Sequence, residues 1–213
     1  MPLKRRVLDR DSGVVRDAPL IVIASEDTYA VHHYLTKFRA RRVQFRVLPT
    51  QDCMSSPQAV LDRLDSYRDR EQLNDDDELW LCIDRDHWAE DNHILNLRQV
   101  RQKCVQKGYR FAISNPCFDL WILLHFVDPP PEGFRNCGEV THQLRKLIPG
   151  YCKTSVESVV LTVDQVQQAI NRAERMAVDD LFSRDTSTTQ MHLIMESLRA
   201  KEAIRLTIRE GLQ

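Results

Sequence analysis

The sequence predicts an α/β fold: a mainly parallel four-stranded sheet with helices on both faces, followed by a helical C-terminal extension. Three observations predict it. Short apolar runs alternate with segments of helical periodicity over residues 17–127, and strands separated by helices pair in parallel through right-handed crossovers. Glycine and proline are sparse, at 6 and 9 of 213 residues, which excludes collagen-like and low-complexity chains. The last third shows helical periodicity and no segment that we interpret as a strand.

The first two predicted strands flank one helix. Residues 19–25, PLIVIAS, form a short apolar run rich in β-branched side chains, which is typical of a buried strand. Apolar side chains then recur at helical spacing over about residues 28–41. Residues 43–48 form the second strand candidate, which Pro49 ends.

The second predicted helix leads into the most apolar strand. Ser56 supplies an N-cap and Pro57 the first helical position, and the helix ends before the polar residues 74–77. Residues 79–83, LWLCI, are almost entirely apolar, as expected for a strand that is covered on both faces.

A charged helix precedes the fourth strand. It spans about residues 92–107, Gly108 is a good C′ residue for its end, and residues 110–114 follow as a strand. In the last third, residues 161–176 and 188–209 have helical periodicity.

The predicted chain has three parts. Residues 1–16 form a charged N-terminal arm, residues 17–127 the α/β core, and residues 128–213 a helical extension that packs on the core. No apolar run approaches the roughly 20 residues of a membrane helix, and the charged start does not resemble a secretion signal. We therefore expect a cytoplasmic protein without a membrane partner, and the sequence leaves homo-oligomerisation open.

The six cysteines include no C-x-x-C pair, and no zinc-ligand spacing can be drawn from them. In the expected reducing compartment we predict buried free thiols. The positions concerned are Cys53, Cys82, Cys104, Cys117, Cys137 and Cys152.

Charge is balanced overall but uneven along the chain. The 30 basic and 31 acidic residues give a net charge of −1, which by itself predicts no partner. Residues 62–91 are strongly acidic, and basic stretches without acids flank them at residues 37–46 and 98–110. Such stretches are either solvated helix faces or phosphate contacts. Under the second interpretation, the candidate nucleic-acid contacts are Arg85, Arg98, Arg101 and Lys103.

Carboxylates follow two predicted strands. Glu26 comes directly after the first strand, and Asp84 and Asp86 follow the third. The carboxyl ends of parallel strands are where open α/β sheets bind ligands, and residues i and i+2 of extended backbone point the same way. If the first and third strands pair, the three carboxylates can share one divalent cation, Mg²⁺ or Mn²⁺, and act on a phosphodiester. The alternative is that they are solvated loop acids.

The segment 114–126, SNPCFDLWILLHF, adds two polar residues to an apolar stretch. Asp119 lies near the start of a predicted helix that Pro116 can open, so it is either a fourth acidic ligand or a capping residue. His125, between Leu124 and Phe126, is more typical of a satisfied core histidine than of a ligand.

These motifs resemble the RloB-like family. The segment 114–126 is similar to its S-N-P-C-F-E-L-W-L-L-L-H-F block, and residues 80–87 are similar to its strand ending in D-R-D. Residues 21–26 followed by Tyr34 resemble its strand ending in C-E-G with a later tyrosine. Further landmarks lie at residues 151–153, 168–173 and 186–189, so that the resemblance covers about residues 20–198.

The resemblance implies a Toprim-like sheet and a role in bacterial anti-phage defence beside an ATPase of the ABC or overcoming-lysogenization type. It implies that Glu26 is a general acid/base or metal ligand and that Asp84 and Asp86 bind metal. Asp119, at the family's glutamate, would be a further catalytic-site acid.

Two positions depart from the family pattern. Asp27 replaces a glycine, and Ala30-Val31 replace a Thr-Glu pair, so the second glutamate of the pattern is absent.

The leading hypothesis is a metal-dependent nuclease that cleaves RNA, including tRNA, or DNA and is controlled by the partner ATPase. The alternative is a non-catalytic binding or regulatory subunit of a defence complex. A phosphatase with Asp84 as nucleophile fits less well, because that chemistry needs its D-x-D after the first strand with a threonine following, and His87 stands there.

Overall fold

The computed structural model describes residues 18–40, 42–50, 54–86, 91–130, 133–201 and 207–208. The predicted N-terminal arm 1–16 lies outside these residues, as do Arg41, Cys53 and His87.

The described strands form one large sheet and one short ribbon. The sheet has five strands in the order β3-β1-β4-β5-β6, and β2 pairs with β7 in the ribbon. The strands are β1 (Leu20–Ser25), β2 (Phe38–Arg39), β3 (Gln44–Leu48), β4 (Glu78–Asp84), β5 (Arg110–Asn115), β6 (Thr188–Thr189) and β7 (Thr207–Ile208). The four predicted strands pair in parallel, which confirms the mainly parallel α/β sheet.

Helices cover both faces of the sheet, as predicted. They are α1 (Ala30–Leu35), α2 (Pro57–Arg70), α3 (Asp91–Gln106), α4 (Asp119–Leu123), α5 (Cys137–Leu147), α6 (Val163–Arg175) and α7 (Met191–Lys201), with a 3₁₀ helix at Lys153–Ser158. Ser56 caps α2 through a hydrogen bond from the Ala59 N–H at 3.3 Å, as the sequence predicts.

Alternating side chains of each strand divide the core into two clusters. In β1, Val22 and Ala24 pack with residues of α2 and α3, while Ile21 and Ile23 face the other way. That second cluster also contains buried residues of α1 and of α4 to α7. The C-terminal extension therefore shares a hydrophobic core with one face of the sheet.

The prediction of a strand-free C-terminal third is wrong. Thr188–Thr189 pairs antiparallel with the end of β5, where the Ser114 and Thr189 hydroxyl oxygens lie 2.9 Å apart. The helix predicted over residues 188–209 is accordingly shorter, and Thr207–Ile208 is a strand. Its partner β2 lies within the helix predicted over residues 28–41. Two-residue strands are too short for a period-2 pattern, so only their pairing partners define them.

Among the described residues, no helix has both the length and the apolar character needed to cross a bilayer.

Candidate active site

The carboxyl ends of β1 and β4 bring Glu26 and Asp84 to one cavity. Ser25 is in register with Cys82, and the Glu26 N–H donates to the Cys82 carbonyl at 3.3 Å. Glu26 and Asp84 are 6% and 5% exposed. Both line a cavity of about 10 Å³, which is roughly the volume needed for one water molecule. The predicted pairing of the first and third strands thus brings these two residues together.

Asp84 is held by one hydrogen bond and one ion pair. Its Oδ1 accepts the Phe118 N–H at 2.8 Å, and its Oδ2 lies 2.7 Å from Lys153 Nζ. Burial is the main cause that raises the pKa of Asp84 to about 6; the Lys153 ammonium lowers it, and the charge of Glu26 raises it further. Asp84 therefore loses its proton close to neutral pH.

Lys153 brings a positive charge to Asp84 and to a neighbouring aspartate. Its Nζ also lies 3.4 Å from Asp27 Oδ2. Burial opposes its charged form, but Asp84 and Asp27 outweigh burial and raise the pKa of Lys153 above the ordinary lysine value. In the sequence, Lys153 stands out only as part of a family landmark, because it lies in the C-terminal extension and no local spacing relates it to Asp84.

Asp27 is a third carboxylate at this edge. Its Oδ1 accepts the backbone N–H groups of Tyr29, at 2.8 Å, and of Ala30, so it caps the start of α1. Its Oδ2 faces Lys153. In the sequence, Asp27 was interpreted only as a departure from the family pattern, although its position directly after Glu26 at a strand end was a signal of a site residue.

Asp86 points to a different neighbour. The Arg85 N–H donates to the Ser114 carbonyl at 2.8 Å and the Asp86 N–H to the Pro116 carbonyl at 2.9 Å, so the chain bends after Asp84. Asp86 Oδ2 then accepts the Cys137 N–H at 2.9 Å, at the start of α5. The expectation of extended backbone through the D-x-D motif is therefore wrong.

Asp119 is a buried acid with two hydroxyl donors. It is 1% exposed and begins α4. Its Oδ1 accepts the Tyr151 hydroxyl and its Oδ2 the Thr141 hydroxyl, both at 2.7 Å. Burial, followed by the charge of Asp119, raises the pKa of Tyr151 above its ordinary range. The α4 N-cap has no side-chain hydrogen bond. Asp119 therefore joins the core to the extension and is not a capping residue.

His125 is a core residue, as predicted. Its Nδ1 lies 2.8 Å from the Trp121 carbonyl, which only accepts, so Nδ1 carries the proton. Its Nε2 then accepts from the Tyr34 hydroxyl at 3.1 Å. Burial lowers the pKa of His125 to about 4, and the ring is neutral near pH 7.

A disulfide corrects the prediction that all six cysteines are free thiols. Cys117 and Cys137 are bonded, which links the segment after β5 to the start of α5. Cys82 and Cys104 are free and buried, whereas Cys152 is free and partly exposed. The two bonded cysteines are 20 positions apart and meet only through the tertiary fold.

Cysteine and acid ligand atoms gather at this disulfide. The His, Cys, Asp and Glu side chains of the described residues are potential metal ligands. Three of them form a group whose ligand atoms all lie within 4.8 Å of one another: Cys117, Asp119 and Cys137. The predicted trio of Glu26, Asp84 and Asp86 does not form such a group, and Asp86 accepts the Cys137 N–H at the start of α5.

The predicted nucleic-acid contacts do not gather around the carboxylates. Arg85 is 4% exposed, and its Nε donates to the Phe182 carbonyl at 3.2 Å. Arg98 pairs with Asp180 at 2.9 Å and lies over the Phe182 ring. Lys103 donates to Gln58 at 2.9 Å.

Arg101 lies at the opposite edge of the sheet. It lines a cavity of about 600 Å³ together with Glu78 and Arg110, which are the first residues of β4 and β5. Lys153 instead contacts Asp84 and Asp27, while Arg63 donates to the Ser25 carbonyl at 2.6 Å.

Comparison with known proteins gives one family match. The model of the family described as "RloB-like protein" matches residues 21–198. No curated protein and no solved structure matches the chain.

Proposed function

The chain belongs to the RloB-like protein family, and from this premise we propose that it is a nuclease that hydrolyses phosphodiester bonds of RNA, including tRNA, or of DNA with Mg²⁺ or Mn²⁺. One observation carries the proposal. Glu26 and Asp84, far apart in the sequence, line one cavity at the carboxyl edge of two neighbouring parallel strands. A glutamate after the first strand and an aspartate after a later one are also what the resemblance to Toprim-like domains implies.

The donor chemistry of this cavity fits a hard divalent cation. Carboxylate oxygens are the ligands that Mg²⁺ and Mn²⁺ prefer, and Glu26, Asp27 and Asp84 offer only oxygens. Glu26 and Asp84 would hold the ion. Asp86 stays a candidate ligand, because a carboxylate that accepts one N–H keeps further lone pairs. When bound, the cation would polarise a phosphoryl oxygen and favour attack by water.

The protein's own groups then have separate roles. The Phe118 N–H and the Lys153 ammonium orient the two oxygens of Asp84. Lys153 also provides a positive charge for a phosphate group at the edge of the cavity. We assign Glu26 to accept the proton of the attacking water. Asp119 accepts a hydrogen bond from the Tyr151 hydroxyl. This bond attaches the C-terminal extension to the core and so helps to position Lys153, two residues after Tyr151, at the site.

An exposed aromatic side chain favours single-stranded substrates. Tyr29 follows Asp27 by two positions, is 51% exposed, and has its ring centroid 5.8 Å from that of His33. Bases of single strands stack on exposed aromatic rings without sequence preference.

The cellular role rests on the family resemblance. We propose that the protein acts in the cytoplasm as an effector of anti-phage defence, controlled by an ATPase of the ABC or overcoming-lysogenization type. The test is to look for an ATPase gene beside the gene of this chain and to measure co-purification of its product with this chain, with and without nucleotide. Failure of the two proteins to associate in both states would refute the partner claim.

The nuclease proposal is tested by cleavage assays with labelled single-stranded RNA and DNA in Mg²⁺ or Mn²⁺, alone and with the ATPase. The wild-type protein should cleave, and Glu26→Ala and Asp84→Ala should lose cleavage by about 100-fold or more, as expected when a general base or a charge-stabilising group is removed. Asp164→Asn is the control, because this exposed carboxylate of α6 lies outside the cavity. Equal cleavage by the wild type and both cavity variants would refute the assignment.

Two observations favour the alternative of a non-catalytic binding subunit. The Lys153 ammonium already pairs with both Asp84 and Asp27 and so offsets part of the carboxylate charge without a metal. The Ala30 and Val31 side chains, at the family's Thr-Glu pair, are buried in the core. On this alternative the protein takes up no Mn²⁺ at millimolar concentration in calorimetry, and the ATPase still binds.

A further inference from the structure

The segment after β5 and the start of α5 hold a second group of ligands, separate from the Glu26 cavity. We propose that Cys117, Cys137 and Asp119 form a zinc site that the disulfide closes and that reduction opens. This inference goes beyond the proposed nuclease and does not depend on it, because the ligand group contains neither Glu26 nor Asp84.

The ligand set has the composition of a zinc site. Two thiolates and one carboxylate favour Zn²⁺ over Mg²⁺, since sulfur ligands select softer metals. The three ligand atoms already lie within 4.8 Å of one another, and the Cys117 and Cys137 Cα atoms are 5.6 Å apart. In a tetrahedral site with Zn–S bonds of about 2.3 Å, the two sulfurs stand roughly 3.8 Å apart. Side-chain rotation therefore suffices to convert the bonded pair into a chelating pair.

The carboxylate is oriented before any metal binds. The Thr141 and Tyr151 hydroxyls hold both oxygens of Asp119 at 2.7 Å, and the side chain is buried. Outer hydrogen bonds of this kind fix the direction of a metal ligand and raise its affinity. Each oxygen keeps a lone pair for the ion, and the fourth position is left to water.

The opening step is an ordinary thiol–disulfide exchange. A dithiol reductant gives two electrons and two protons to the S–S bond, which breaks to form two thiols, and the reductant becomes its own disulfide. Zn²⁺ then displaces the two thiol protons to solvent as two Zn–S bonds form. In a reducing cytoplasm, closely placed cysteines more often bind metal than remain as a disulfide.

The position of this group gives the bridge a structural consequence. Phe118, whose N–H is bonded to Asp84, follows Cys117 directly, and Cys137 itself donates its N–H to Asp86. Either the disulfide or a bound zinc therefore fixes the positions of the two backbone N–H groups that donate to Asp84 and Asp86. The reduced, metal-free state lacks this restraint.

The test is zinc and cobalt binding by the full chain before and after treatment with a dithiol reductant. The reductant is removed anaerobically and the protein is titrated with the metal alone. We expect about one Zn²⁺ per chain after reduction and none before, with thiolate-to-metal charge-transfer absorption when Co²⁺ replaces zinc. Thiol counts on the unfolded chain should rise by two on reduction, because one disulfide is opened.

Variants separate this site from adventitious binding. Cys117→Ser and Cys137→Ser should lose the cobalt absorption, and Asp119→Asn should weaken zinc binding. Cys152→Ser is the matched control, since Cys152 is a free thiol outside the group and should leave binding unchanged. The double variant Cys117→Ala/Cys137→Ala, checked by circular dichroism, gives a folded chain without either sulfur. Absence of zinc binding by the reduced wild type, or unchanged binding by the folded double variant, would overturn the proposal.

Discussion

Replacing Lys153 by methionine removes the cation that lies between Asp84 and Asp27. The ammonium is 2.7 Å from Asp84 Oδ2, and the two side chains are 27% and 7% exposed. Removing one partner of a buried ion pair costs about 3–5 kcal/mol, because the remaining charge is left uncompensated. Since Lys153 is partly exposed to solvent, we expect a cost at the lower end of this range. Lys153→Met should lose about 3 kcal/mol of unfolding free energy near pH 8.

The unfolding free energy that Lys153→Met loses should depend on pH. Without Lys153 the pKa of Asp84 rises above its present value of about 6. A carboxyl whose pKa is higher in the folded state than in the unfolded state stabilises the fold while it is protonated, and this contribution is lost as the pH rises through the folded-state pKa. At pH 5 Asp84 is protonated in both proteins, so the cost of Lys153→Met should fall to about 1 kcal/mol.

Urea unfolding at pH 5 and pH 8 measures this difference. Lys146→Met is the control, because Lys146 is an exposed lysine of α5 that makes no described contact with the cavity. The double variant Lys153→Met/Asp84→Asn should recover about 1–2 kcal/mol at pH 8, since it removes the Asp84 charge together with the ammonium that pairs with it. A loss below about 0.5 kcal/mol at both pH values would refute the ion pair as a stabilising contact.

Three further substitutions test other parts of the structure. Between pH 6.5 and pH 4, the unfolding free energy of His125→Gln in urea should fall by about 3 kcal/mol less than that of the wild type. The reason is that the folded-state pKa of His125 is about 4, so in this range the unfolded chain binds a proton that the folded protein does not. Gly133→Ala should lower the unfolding free energy by about 1–3 kcal/mol in the same assay, since φ is +71° and a Cβ would meet Ser187 Oγ at 2.6 Å. Tyr151→Phe should cost about 1–3 kcal/mol in denaturant unfolding, because it leaves buried Asp119 one donor short.

The controls for these substitutions lie close by in the chain. His142→Gln changes an exposed histidine of α5 and should keep the wild-type acid profile. Gly150→Ala also has a positive φ but meets no atom within 4 Å, so it should cost less than Gly133→Ala. Unchanged acid stability of His125→Gln, equal costs at the two glycines, or no loss in Tyr151→Phe would each contradict the contact concerned.

Local patterns in the sequence predict the sheet well, because each long strand carries its own signal. The run at β1 and the nearly apolar β4 are buried on both faces, and burial of this kind selects β-branched and aromatic side chains. The strands β6 and β7 have two residues each and are defined by pairing with distant segments. No pattern within two residues can show that pairing.

The sequence predicts those residues of the candidate site that directly follow or end a strand. Glu26 and Asp84 follow from the rule that ligands bind at the carboxyl edge of a parallel sheet. Asp86 did not follow, because backbone hydrogen bonds to Ser114 and Pro116 bend the chain after β4. Lys153 and the Cys117–Cys137 disulfide join segments that only the tertiary fold brings together.

Mn²⁺ titration measures whether the cavity between Glu26 and Asp84 holds a divalent cation. Paramagnetic resonance titration of the reduced, zinc-free protein counts bound Mn²⁺ for the wild type, Glu26→Gln, Asp84→Asn and the control Asp164→Asn. We expect the wild type and the control to bind alike, and each cavity variant to bind Mn²⁺ at least about 10-fold more weakly, as loss of a ligating charge requires. Equal affinity in all four proteins, or no binding by the wild type, would contradict a divalent-cation site between Glu26 and Asp84.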